Sequence, residues 1–294
     1  MRVAVLGAGT MGHGIAQVTA MAGHDVVVRD IEMEYVENGL ESIDDNLGGG
    51  IERDKVTREE ADAALERLSG TTDLEEAVAD ADLVVEAVPE DLDLKKSTMA
   101  DVEELVDDET VIATNTSSLS ITEIASAAEN DGRVIGLHFF NPVHIMGLVE
   151  IVVAEQTDDE TLAFAHEYIE DIDKTPVEVT DSPGFASSRL GVALGVEAMR
   201  MVEEGVADPR DIDTAMELGY NHPMGPIELG DVVGLDVRLD IIEYLREELG
   251  ERFKPPQVLK RKVRAGKLGK KSGEGFYVWE NGEIVGTSGE WGDD

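Results

Sequence analysis

Short runs of consecutive apolar residues, separated by longer stretches with helical spacing, dominate the chain as far as residue 180. Arg2–Leu6 is apolar and valine-rich, which predicts a strand buried on both faces of a parallel sheet. A helix is predicted from about Met11 to Met21, ended by Gly23-His24, and Asp25–Arg29 reads as a second strand. The polar stretch from about Glu32 to Leu68 has helical spacing, with a capping box at Thr57-Arg58-Glu59-Glu60. The run Gly48-Gly49-Gly50 is expected to divide it into two helices that form a hairpin arm. Strands then follow at Leu83–Ala87, Val111–Thr114, Val134–His138, Val149–Val153 and Pro176–Val179. Helices are expected near Leu92–Val106, after the cap Ser120-Ile121-Thr122-Glu123, and near Glu160–Ile172. Strands alternating with helices predict a doubly wound parallel sheet, with room for an antiparallel edge strand or two.

Asp181-Ser182-Pro183-Gly184 interrupts this alternation. Beyond it Arg189–Glu203, Asp211–Leu218 and Leu235–Leu249 read as helices with no convincing strand between them. The chain is therefore expected to be α/β over residues 1–182, followed by a smaller all-helical domain over 183–294. The helical part is a candidate dimer interface.

The first strand runs directly into Gly7-Ala8-Gly9-Thr10-Met11-Gly12, which opens the first helix. Gly7 permits the tight turn, Gly9 lets the backbone approach a pyrophosphate, and Gly12 lets the helix pack close to the strand. The helix N-terminus, with Thr10 and Met11, then faces negative phosphates. Asp30 closes the second strand eighteen residues after Gly12, where an acidic residue binds the ribose hydroxyls. These are the marks of a Rossmann-type dinucleotide site. The Asp30 carboxylate would repel a 2′-phosphate, so NAD is expected over NADP. FAD-binding folds share the glycines, so this fingerprint alone does not specify hydride transfer.

Composition narrows the chemistry. There are no cysteines, so disulfides, thiolate metal sites and cysteine nucleophiles are excluded, and no metal is expected. The 24 Lys and Arg face 64 Asp and Glu, a formal net charge of −40. Such a surface repels nucleic acid and anionic membranes. The acids are dispersed rather than gathered in a tail, a pattern that resembles proteins of salt-loving organisms, where salt screens the self-repulsion. No apolar run approaches the ~18–20 residues of a membrane span, and the N-terminus lacks a basic leader, so a cytoplasmic location is expected.

A ligand crevice is expected at the carboxyl ends of the strands. Two segments fall there: Asn115-Thr116-Ser117-Ser118-Leu119 and His138-Phe139-Phe140-Asn141-Pro142. A histidine beside a nicotinamide can take a hydroxyl proton, and Glu150 is the nearest plausible carboxylate to orient it. From the residues alone His138 is equally readable as a structural histidine. His13 and His24 flank the first helix, His166 lies in a polar helix and His222 in a loop, while His144 stays open as a second candidate.

These segments do not stand alone. Leu148-Val149-Glu150, Asp181-Ser182-Pro183-Gly184-Phe185, His222-Pro223-Met224-Gly225-Pro226 and Gly269 to Tyr277 follow them in order. Together they resemble the L-3-hydroxyacyl-CoA dehydrogenase family, above all its short single-function 3-hydroxybutyryl-CoA members, from Arg2 to about Trp279. The resemblance implies NAD-dependent oxidation of an L-3-hydroxyacyl-CoA and its reversal. It makes His138 the general base, Glu150 its partner, and Ser117 a hydrogen-bond donor to the reacting oxygen. It places Glu90, Lys95, Asn141 and Lys271 at the cofactor, and the arm at the CoA; Lys55, a cation in an otherwise acidic stretch, is a candidate for its phosphates and equally readable as a surface lysine. It also implies an acyl-CoA partner; a homodimer is expected from the helical domain alone. Two motifs depart from the pattern: Ser188 stands where the family commonly has the asparagine that contacts the substrate carbonyl, and His144-Ile145-Met146-Gly147 replaces Pro-x-Met-Lys. Two other readings stay open at this point. One is a related dehydrogenase of a hydroxy acid or sugar acid without CoA, of the L-gulonate type; the other is a non-catalytic NAD-binding protein.

Overall fold

One eight-stranded sheet organises the first of two units, Met1–Phe185; the second begins at Ala186, three residues beyond the boundary expected from sequence. The computed structural model describes residues 1–289, so the last five residues of the expected second domain lie outside the described residues. The strands are β1 (Arg2–Leu6), β2 (Asp25–Arg29), β3 (Leu68–Thr71), β4 (Leu83–Glu86), β5 (Val111–Thr114), β6 (Val134–Phe139), β7 (Leu148–Val153) and β8 (Thr175–Thr180). Their spatial order is β3-β2-β1-β4-β5-β6-β7-β8. All neighbours are parallel except β6 and β7, so the last two strands run against the rest. The direction of winding reverses between β1 and β4, which opens a crevice at their carboxyl ends.

The helices of this unit are α1 (Thr10–Met21), α2 (Met33–Glu52), α3 (Arg58–Leu65), α4 (Leu74–Val78), α5 (Leu92–Glu103), α6 (Ile121–Ala125) and α7 (Asp159–Asp171). Helices cover both faces of the sheet. Val3 and Val5 of β1 point into a core with Ile15, Ile43 and Tyr168, while Ala4 and Leu6 point into another with Met99, Val102 and Ile124. A strand buried on both sides has no polar alternation to show, which is why β1 reads as continuous apolar sequence.

The long polar stretch folds differently from expectation. Helix α2 runs straight through Gly48, Gly49 and Gly50, and the break comes afterwards, at residues 53–57. Each mid-helix glycine costs about 1 kcal/mol relative to alanine. Burial of Val36, Ile43 and Leu47 on one face outweighs that local preference. The missing side chain at Gly50 also admits Val56, which a Cβ there would meet at 3.0 Å. The capping box is as read: Thr57 accepts from the Glu60 N–H, and the Glu60 carboxylate accepts from the Thr57 N–H at 2.8 Å. Helices α2 and α3 pack against α1, so the hairpin is seated on the core of its own unit. Leu68 begins strand β3 rather than ending a helix. Ser69 and Gly70 carry no strand signature, and the pairing with Val26–Arg29 alone draws them into the sheet.

The second unit holds α8 (Ser187–Glu203), α9 (Pro209–Tyr220), α10 (Pro226–Val233), α11 (Leu235–Leu249) and α12 (Gln257–Arg264). The expected helical domain is therefore present, but it is not purely helical: β9 (Tyr277–Glu280) and β10 (Glu283–Thr287) form an antiparallel hairpin. The turn between them is Asn281-Gly282, both at positive φ, a strong local hairpin signal. Asp231 of α10 is wholly buried and accepts from the Phe276 and Tyr277 N–H groups and the Trp279 indole, which ties the hairpin to the helices. Among the described residues no helix is long and apolar enough to cross a membrane.

Candidate active site

The glycine turn is shaped by contacts that a side chain would destroy. Gly7 has φ +101°, and a Cβ on it would lie 2.6 Å from the Ala87 carbonyl. A Cβ on Gly12 would lie 1.7 Å from the Gly7 carbonyl, so only glycine allows α1 to start this close to β1. Gly9, the N-cap of α1, faces open space, and no side chain caps the helix. The first N–H groups of α1, at exposed Thr10 and half-buried Met11, therefore have no side-chain acceptor and suit a phosphate. Asp30, just past β2, is locked beside this turn. Its carboxylate accepts from the Ala8 N–H at 2.8 Å and from the Ile31 N–H at 2.7 Å. The cradle and its acidic wall fit an adenosine ribose and pyrophosphate. Asp30→Ala is expected to weaken NADH binding at least tenfold, and much less for NADPH, because the repulsion of a 2′-phosphate is also removed. Fluorescence titration with both nucleotides checks this; unchanged NADH affinity would refute the ribose assignment.

The same end of the sheet carries a polar network between β4, β5 and α5. Lys95 is wholly buried, and its ammonium donates to Glu86 at 2.7 Å, to the Asn115 carbonyl at 3.2 Å and to the Val88 carbonyl at 3.3 Å. Burial pushes the Glu86 carboxyl above the usual carboxylate range, opposed by Lys95, by the Thr114 hydroxyl and by the Val88 N–H. Glu90 lies 3.8 Å from Lys95. One of its oxygens accepts from the Thr116 hydroxyl at 2.6 Å and the Ser117 N–H at 3.0 Å, with the Ser117 and Ser118 hydroxyls both at 3.3 Å. Ser117, Glu90 and Lys95 are thus brought together.

His138 and Glu150 meet through strand register. The reversal between β6 and β7 places the two residues opposite each other. Their side chains bond at 2.7 Å, Nδ1 to the carboxylate, with relative exposures of 6% and 1%. Opposite an ionised Glu150, which can only accept, Nδ1 would carry the proton and leave Nε2 as the basic nitrogen. The rings of Phe140 and Phe185 sit 4.4 and 5.6 Å from the imidazole, centroid to centroid, and confine it. A partly dehydrated imidazole oriented by a buried carboxylate is a suitable acceptor for a hydroxyl proton.

The remaining expected residues fall on other elements. Asn141 is exposed, just after β6, and Lys55 is exposed in the turn between α2 and α3. Ser188 lies in the first turn of α8, and Lys271 is ion-paired to Asp236 at 2.7 Å, both within the second unit. His13 and His144, near each other on the first unit, have depressed pKa values, chiefly from burial. Glu86 and Thr114 are not among the residues expected from sequence, and Asn115 enters there only as the first residue of the Asn115–Leu119 segment. The available signal was a carboxylate closing the otherwise apolar strand Leu83-Val84-Val85-Glu86, with a lysine nine residues on.

Comparison with known proteins agrees with this geometry. Residues 2–182 match the family model described as 3-hydroxyacyl-CoA dehydrogenase, NAD binding domain, and residues 184–279 match the C-terminal domain of the same family. A probable 3-hydroxybutyryl-CoA dehydrogenase of Deinococcus radiodurans is 45% identical over 280 residues, covering 95% of this chain and 100% of the relative. A 3-hydroxybutyryl-CoA dehydrogenase of Clostridioides difficile is 42% identical, covering 94% and 99%. Among solved structures, FadB2 of Mycobacterium tuberculosis superposes with a TM-score of 0.92 at 42% identity, covering 95% of this chain and 99% of that one. The (S)-3-hydroxybutyryl-CoA dehydrogenase of Ralstonia eutropha gives 0.91 at 39% identity, with the same coverage. The chain belongs to the 3-hydroxyacyl-CoA dehydrogenase family, as an NAD-dependent oxidoreductase acting on a CH–OH group.

Proposed function

We propose that this dehydrogenase interconverts L-3-hydroxybutyryl-CoA and acetoacetyl-CoA, with His138 as the general base. The observation that carries the reading is the buried His138–Glu150 pair at the carboxyl end of the sheet, on the same edge as the glycine turn. The names of the similar proteins support a short acyl chain. Bound NAD supplies the hydride acceptor. His138 takes the substrate hydroxyl proton at Nε2, and Glu150 stabilises the imidazolium that forms. The Ser117 hydroxyl leaves Glu90 to donate to the reacting oxygen. Gly7, Gly9, Gly12, Asp30, Glu90 and Asn141 line the cofactor, and Lys95 serves it by fixing the Val88 and Asn115 carbonyls. Lys55 takes a CoA phosphate. For Ser188 and Lys271 the support is the family motif alone; a serine reaches less far toward a substrate carbonyl than the usual asparagine.

The working molecule is a cytoplasmic homodimer in a salt-rich medium. Exposed Leu190, Leu218, Tyr220, Val232 and Val237 on the second unit support self-association, and the net charge of −40 supports the medium. Rates with acetoacetyl-CoA and with free acetoacetate test the substrate class. The thioester is expected to be favoured by at least a hundredfold in kcat/KM, since remote binding energy is used in the transition state. Equal or better turnover of the free acid would overturn the CoA assignment in favour of a hydroxy-acid dehydrogenase.

A further inference from the structure

The side chain of Asn115 stands between the two catalytic segments and takes the place of a missing strand. The β5–β6 ladder ends at the pair Thr114 and Gly136, but β6 continues to Phe139. Past this pair the Phe139 N–H, on the β5 side of β6, has no strand residue opposite it. The Phe139 N–H donates there to Asn115 Oδ1 at 3.0 Å. A buried N–H without an acceptor is costly, so this amide is what allows β6 to carry on past its neighbour. The backbone of Asn115 is held as firmly: its N–H donates to the Glu86 carbonyl at 2.7 Å, and its own carbonyl accepts from Lys95. One residue therefore anchors to β4 and α5, reaches across to β6, and lies next to Thr116-Ser117.

We infer that Asn115 is a positioning residue that sets the distance between the His138 imidazole and the Ser117 hydroxyl. His138 is gripped on its other side by β7, through the pairing with Glu150. With Asn115 in place, both edges of the strand that carries the base are fixed. Without it, the Phe139 N–H loses its acceptor, and the end of β6 shifts relative to the serine loop. A displacement near 1 Å at reacting groups costs roughly a hundredfold in rate. The Asn115 carbonyl held by Lys95 is main chain and survives truncation of the side chain, whose own hydrogen bond runs to β6, so cofactor affinity is expected to be largely kept.

The inference rests on His138 being the base, and a double-mutant cycle separates the two claims. Asn115→Ala, Asn115→Asp, His138→Gln and the double variant Asn115→Ala with His138→Gln are compared for kcat, KM and NADH affinity. Asn115→Ala is expected to lower kcat roughly ten- to a hundredfold, with NADH Kd within about twofold. Asn115→Asp keeps the acceptor and is expected to recover most of the rate. In the His138→Gln background Asn115→Ala is expected to have little further effect, because the group it positions is gone. If Asn115→Ala does not fold, Asn115→Ser, whose hydroxyl is too short to reach Phe139, replaces it in the cycle. A full multiplicative loss in the double variant, or no rescue by Asp, overturns the inference while leaving the base assignment standing. Near-normal turnover of His138→Gln alone overturns the base assignment itself.

Discussion

His138→Gln is expected to lower kcat about a thousandfold, within the ~10²–10⁴ that a positioned general base contributes, while NADH affinity stays within about twofold. Glutamine is the informative replacement. Its amide can still donate to Glu150, so the buried carboxylate keeps a partner. Alanine would leave that carboxylate unpaired at 1% exposure, and a loss of folding could then pass for a loss of chemistry. Steady-state kinetics with acetoacetyl-CoA, paired with NADH titration, reads both quantities. A fall in rate with preserved cofactor binding assigns His138 to the proton. Turnover within a few fold of the unaltered enzyme would remove it from the mechanism and return His144 to consideration.

The second large effect concerns the medium. With 64 acids and 24 Lys and Arg, at least 40 carboxylates have no cation in the chain to pair with. At 0.01 M salt charges interact over roughly 30 Å, the scale of a whole domain, whereas at 1 M the reach falls to roughly 3 Å. Self-repulsion is therefore expected to unfold the protein in dilute buffer and to vanish in molar salt. The ion pairs that exist are mostly exposed, such as Lys260 with Glu243 and Arg246 with Glu251, and add little against that total. Thermal melts followed by circular dichroism, in sodium chloride from about 0.05 to 3 M, are expected to show a midpoint rising by tens of degrees. A midpoint independent of salt, with a cooperative melt in dilute buffer, would refute the reading of the surface. The dependence also decides the conditions under which the kinetic experiments have meaning.

What sequence made legible divides along physical lines. The glycine turn, the Thr57 cap and the place of Asp30 depend on backbone geometry over a few residues, and local rules recover them. His138 was different. Its pairing with Glu150 depends on β7 reversing direction against β6, which no periodicity discloses, and the family motifs raised it above a structural histidine. Helix α2 crossing three glycines, and β3 forming from Leu68-Ser69-Gly70-Thr71, are cases where tertiary burial and pairing overrode local preference. The Lys95–Glu86–Asn115 network is non-local in the same sense. Each residue is unremarkable in its own segment, and they acquire a role when β4, β5 and β6 are laid side by side. Ser188 remains the position where the family pattern and this chain part.

The most direct test of the central claim is the oxidation of NADH by acetoacetyl-CoA in molar salt, followed by absorbance with the purified enzyme. Rapid oxidation is predicted, with 3-hydroxybutyryl-CoA of the L configuration as the product and NADPH a much poorer donor. No oxidation of NADH under conditions where the enzyme is folded and binds the nucleotide would contradict the account.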